Sequence, residues 1–188
     1  MPTDYAVRLL GAAIDYAHEC VTPVRPQDLP KPTPCAVGDV EALLWRLNDA
    51  LELLYEALTE AVISWEPVIQ TGDDPVAFFH VRTRRLLAVA ATSARPDSPI
   101  AIGDRYLPRG LLLAACTVEI TVHAWDVAWS CRRDQPVPPP LATGVLELLP
   151  LVLTTGTSHL QHGPPLPVPD GASPGDRLMA RFGRRVSS

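Results

Sequence analysis

Proline dictates where this chain can be helical. Twenty-one prolines, many in pairs or short clusters, leave five proline-poor stretches long enough for a helix. Proline lacks an amide hydrogen and clashes with the preceding helical turn, so each cluster acts as a boundary. The first stretch covers residues 4–20 and closes at Thr22-Pro23. A Pro-rich loop, 22–38, follows, and Asp39 then stands as an N-cap for the second helix. Val40, Leu43, Leu44, Leu47, Leu51, Leu54, Leu58 and Val62 step by three and four, the period of a one-sided helix, and Pro67 ends it.

Asp74-Pro75 pairs a cap with proline at the first helical position and opens a third helix running to about residue 92. Residues 100–107 read as a short extended piece. The fourth helix starts at Pro108 and stops before Pro136, and the fifth spans about 141–155. The tail, 163–188, is rich in Pro and Gly, with a final turn at 176–182. No internal repeat or recurring strand alternation is present. The expectation is a single all-α domain over 1–188, an antiparallel bundle with longer-than-minimal loops.

Bulk properties remove several function classes. A net charge of -5 argues against nucleic acid and anionic membranes as partners. No apolar run approaches the ~18 residues of a membrane span. The N-terminus lacks a signal peptide's basic region. Cys20, Cys35, Cys116 and Cys131 are widely spaced, which fits a reduced, cytoplasmic protein better than a disulfide scaffold. The one lysine, Lys31, lies in the Pro-rich loop and is poorly placed for Schiff-base chemistry. Phosphate loops, serine elbows and glycosidase carboxylate pairs are absent from the sequence.

The chemistry concentrates in the fourth helix. Leu111, Ala115, Val118, Val122, Trp125 and Trp129 form an apolar seam. One residue round the helix lies Leu112, Cys116, Glu119, His123, Asp126 and Ser130. This second seam turns polar toward its end and is expected to border the bundle interior. Glu119 and His123 sit one turn apart on one face, half of a divalent-metal site. A buried Glu needs a partner, and a metal or an arginine can serve. Asp126 is either an acceptor holding the imidazole or a solvated residue. Cys116 is core or cleft-facing, and Trp125 and Trp129 are core or cleft wall.

Three separated segments carry a family resemblance. They are Thr33-Pro34-Cys35 followed by Asp39-Val40 and a Leu-rich helix, then Glu119-Ile-Thr-Val-His-Ala-Trp-Asp126, then Asp176-Arg-Leu-Met-Ala-Arg-Phe-Gly183. Together they resemble the actinobacterial DinB-like metal-binding proteins, a group that includes the N-terminal domain of mycothiol-dependent maleylpyruvate isomerase. The resemblance implies an up-down-down-up four-helix bundle, here with an extra C-terminal helix or turn. It also implies a Zn or Ni ion held by a second-helix His plus the Glu and His of the later helix, facing a cleft for a thiol.

This sequence departs from that pattern at one ligand. Counting from Thr33-Pro34-Cys35, the second-helix histidine falls at position 46, which is Arg46. The family tryptophan is also missing, with Gly38 in its place. A permanent cation cannot ligate and repels a dication. Arg46 shares its helix face with Ala42, Ala50, Leu53 and Ala57, so a guanidinium paired with Glu119 near His123 is expected in place of the metal.

The expected function is therefore a metal-free DinB-like enzyme using Arg46, Glu119 and His123 as catalytic residues, with Trp125, Asp126 and Cys116 touching substrate. Isomerisation, elimination or cyclisation of a small carbonyl-bearing metabolite, in secondary metabolism, fits that apparatus. Two alternatives stand beside it. One is a metal- and mycothiol-dependent isomerase or S-transferase. The other is a non-catalytic binding or scaffold protein, with a homodimer among its forms. His80, beside Phe78-Phe79, reads as structural; His159 and His162 as a solvated loop; Arg82, Arg84 and Arg85 as a solvated basic face.

Overall fold

Helix caps fix the frame. In the computed structural model, which describes residues 3–35, 38–63, 74–92, 99–154 and 163–185, Asp39 is extended and its carboxylate accepts the Ala42 N–H at 2.9 Å. Asp74 likewise accepts from the Val76 and Ala77 N–H groups, both at 3.0 Å. Such caps satisfy amides that have no partner within the helix. The helices are α1 (Thr3–Val21), α2 (Val40–Glu60), α3 (Pro75–Thr92), α4 (Arg109–Ser130), α5 (Pro139–Thr154) and α6 (Pro174–Arg181).

Helix α1 packs on α4, α4 on α2, α2 on α3, and α3 back on α1. The ring therefore runs α1–α4–α2–α3, and the connections from α1 to α2 and from α3 to α4 cross it. Helix α5 packs against α4 and α1, and α6 against α5. One apolar cluster extends from Ala6 to Phe182 and takes in every helix. Leu43, Leu44, Leu47, Leu51 and Leu54 are fully buried, as their spacing predicts. Each contributes roughly 1.5–3 kcal/mol of apolar burial.

The all-α expectation needs one correction. The chain is mostly helical but also carries a small sheet in the order β1 (Val62–Ile63), β2 (Ile100–Ile102), β3 (Arg105–Leu107). Strand β1 runs parallel to β2, with Ile63 opposite Ile102, and β2 pairs antiparallel with β3. Gly103, at φ 58°, opens the two-residue turn of that hairpin. Strands this short carry too few residues to show a two-residue period. Helix α2 accordingly stops at Glu60, and Val62 is 43% exposed rather than part of its apolar face. Pro67 lies outside the described residues.

The final turn is a full helix, α6, capped by Ser173, whose hydroxyl accepts the Asp176 N–H at 3.1 Å. Gly183 ends the turn with φ 73°, and the Arg184 N–H returns to the Met179 carbonyl at 3.0 Å. A β-carbon on Gly183 would lie 2.7 Å from the Gly163 Cα, so no other residue fits there. This reversal sends Arg184 into the interior.

Helix α4 is long and apolar enough to cross a membrane by length and composition, yet 83% of its most apolar window is buried inside the protein. It is the central helix of the bundle.

Candidate functional site

Helix α4 is surrounded on almost every side, so the polar seam lies inside the bundle rather than at its border. Cys116, His123, Asp126 and Ser130 are all buried. Arg46 projects from α2 and places its Nε 3.4 Å from Glu119 Oε1. The same oxygen lies 3.7 Å from His123 Nε2, and His123 Nδ1 lies 3.6 Å from Asp126 Oδ2. Arg184 grips Asp126 with both arms, Nε to Oδ1 at 3.0 Å and Nη2 to Oδ2 at 2.7 Å. Its third nitrogen position donates to the Phe182 carbonyl at 2.7 Å.

The result is a ladder of alternating charge: Arg46, Glu119, His123, Asp126, Arg184. Its outer end is open, with the Arg46 and Glu119 side chains 27% and 20% exposed. Its inner members are sealed, at 1% for His123, 0% for Asp126 and 2% for Arg184. Among the described residues no side-chain hydrogen-bond partner comes within 3.5 Å of either His123 nitrogen, the nearest carboxylate oxygens being those of Asp126 and Glu119 at 3.6 and 3.7 Å. The Asp126 and Glu119 carboxylates act on the ring from either side, through long hydrogen-bonding approaches first and through charge second. Burial opposes the imidazolium, but the two carboxylates outweigh it and hold the His123 pKa above its ordinary 6.5. Burial likewise opposes the Glu119 carboxylate, while His123 and Arg46 outweigh it and hold its pKa below the ordinary 4.5.

Several sequence-based assignments change here. Asp126 does not reach solvent or a cleft, so it is no substrate contact; it anchors Arg184. Cys116 is 4% exposed and burial raises its thiol pKa far above the ordinary value, which removes it as a nucleophile or cleft residue. Trp125 is 9% exposed and lines a groove at the C-terminal end of α4, beside the half-exposed Trp129. Arg82 is not solvated: it is buried and paired with Glu52 at 3.0 Å, and Arg85 shares that carboxylate at 3.7 Å. His159 and His162 lie outside the described residues.

His80 is half-buried on α3. Its ring stacks on His18 at 5.0 Å, with the two Nδ1 atoms 3.0 Å apart, and the His18 Nε2 meets the Thr83 hydroxyl at 2.9 Å. Only one proton fits between two facing ring nitrogens. Burial and His80 together lower the His18 pKa. The two shifted histidines should therefore titrate on opposite sides of 6.5, His18 below and His123 above, when followed by NMR of the imidazole carbons. For His18 the unfolded chain binds the proton more readily, so its contribution is present above pH 6.5 and lost as pH falls below it. For His123 the contribution is complete below 6.5 and lost as pH rises through its raised pKa. A His18→Gln variant should lose the part of the acid-side decline that sets in just below pH 6.5.

The family resemblance implies a metal, and two groups of residues bring candidate donors together. His123 Nε2 and Glu119 Oε1 are spaced near what one tetrahedral ion spans, roughly 3.4 Å for bonds of about 2.1 Å. A third protein donor is lacking among the described residues, and the Arg46 guanidinium sits on the same Glu119 oxygen. Cys35, His123 and Asp126 also bring ligand atoms within 4.8 Å of one another, all buried. There both Asp126 oxygens are held by Arg184, and an ion would have to displace it. Neither group of residues fits a divalent metal.

A scan against protein-family models, a search of curated proteins and a search of solved structures each returned no match.

Proposed function

We propose that the protein is a DinB-like bundle whose metal site has been rebuilt around Arg46, and that it isomerises, eliminates from or cyclises a small carbonyl-bearing metabolite. The observation that carries this reading is the open outer end of a charge ladder that is otherwise sealed. Arg46 supplies a cation for a substrate carboxylate or for charge developing on a carbonyl oxygen. Glu119 takes a proton from the carbon beside that carbonyl; the C–H electron pair moves into the enolate and its charge rests against Arg46. The proton then returns at another carbon, or the electron pair expels a leaving group. His123 is too deeply sealed to touch substrate and is a positioning residue for Glu119. A carboxylate held this acidic is a weak base, which favours substrates whose C–H is acidified by a second carbonyl or by conjugation.

The reading is tested by deuterium exchange from solvent into a panel of 3-oxo acids, followed by NMR. Exchange catalysed by the native protein should fall about 10²–10⁴-fold in Glu119→Gln. Equal exchange by both proteins contradicts it.

One observation favours a non-catalytic alternative: the inner members tie α4 to the tail after α6 and need no substrate to explain them. On that reading, replacing Arg46 and Glu119 together by apolar residues is tolerated and no panel member exchanges. A mycothiol- and metal-dependent reaction is disfavoured by the donor set described above.

A further inference from the structure

A groove of about 990 Å³ opens at the C-terminal end of α4, where the loop after α1, the α4–α5 loop and the start of α6 meet. None of Arg46, Glu119 and His123 lines it. Its wall carries Trp125 and Trp129, one helical turn apart, with ring centroids 6.4 Å apart and planes within 28°. Trp129 is 46% exposed, so a large flat aromatic surface is left facing the groove.

Three cations line the same space, and two are already committed. Lys31 pairs with Asp28, and Arg133 donates to the Cys20 carbonyl at 3.0 Å. Arg132 is exposed, and among the described residues no carboxylate or carbonyl engages its side chain. Two acids, Asp134 and Asp176, also line the groove; the Asp176 carboxylate accepts from Ser173 at 2.8 Å.

The backbone at Arg132 is unusual. It adopts φ 55°, the left-handed conformation, and the Arg133 N–H closes on the Ala128 carbonyl at 3.0 Å. This is the helix ending at which glycine is ordinarily found, because a β-carbon is unfavourable there. The same left-handed ending occurs at Ala61 after α2, and at Arg132 it sets an exposed guanidinium beside the aromatic groove.

We propose that this groove is a binding site for a planar aromatic anion, its ring against Trp125 and Trp129 and its carboxylate on Arg132. Aromatic stacking supplies the shape preference, and the charge-assisted hydrogen bond supplies the preference for an acid. The site is independent of the reaction proposed at Arg46.

Calorimetric titration with 2-naphthoate and its neutral isostere 2-naphthamide tests the site. The native protein should bind the acid about tenfold or more tightly than the amide. Arg132→Gly should weaken the acid by a similar factor and abolish the acid–amide preference, with its Tm unchanged or higher. Trp129→Ala should weaken both ligands. Equal affinity of native protein for acid and amide, no binding of either, or an Arg132→Gly variant that binds the acid normally, each overturns the proposal. A fall in Tm with unchanged binding in Arg132→Gly would assign Arg132 to the helix end alone.

Discussion

Replacing Arg184 by methionine should lower the unfolding free energy by about 3–5 kcal/mol, the range seen when one partner of a buried ion pair is removed. For a chain of this size that is a drop in Tm of roughly 6–20 °C. Arg184 is 2% exposed and Asp126 is 0% exposed, so bulk solvent does not hydrate the pair. Asp126 would then stay charged in the interior or take up a proton, and either costs folding energy. The loss should be partly recovered by pairing the change with Asp126→Leu, because replacing both members removes the uncompensated charge. Urea and thermal unfolding of the two single variants and the double variant measure this coupling. A single variant within about 0.5 kcal/mol of the native protein would show that Asp126 does not depend on Arg184.

Arg46→Ala should behave in the opposite way. Its pair with Glu119 is long, at 3.4 Å, and both side chains are partly exposed, so the stability change should stay under about 1 kcal/mol. The exchange reaction proposed at Glu119 should nonetheless fall about 10²–10³-fold in kcat/KM, the loss typical of removing one group that stabilises a developing oxyanion. Lysine at position 46 should restore only part of the rate, since a point charge lacks the planar fork of the guanidinium. Steady-state kinetics beside a thermal melt separates the two effects. Loss of stability without loss of rate would assign Arg46 to the fold.

The helices were legible because their boundaries are chemical. Asp39 and Asp74 cap where their side chains predict, and the leucines of α2 bury as their spacing requires. The sheet was hidden because two- and three-residue strands carry no usable period; residues 100–107 showed only as one extended piece. Arg46, Glu119 and His123 came together because two short motifs placed them on α2 and α4. Asp126 does lie beside His123, as one reading of the sequence has it, but its closer partner, Arg184, could not be read because it is 58 residues away in sequence. A cue did exist: Gly183 precedes Arg184, and a glycine closing a helix turns the next residue inward. Arg82 looked solvated for a similar reason, since its partner Glu52 lies on a different helix.

Metal analysis of the native protein, purified without a histidine tag, and of Arg46→His bears on the proposal that a metal site was rebuilt around Arg46. With Arg46 on the Glu119 carboxylate, the native protein should hold far less than one equivalent of zinc or nickel per chain, even after incubation with either ion. Arg46→His removes the guanidinium and adds an imidazole facing Glu119 and His123, and should raise binding to about one ion per chain. One tightly held divalent ion per native chain would contradict the account.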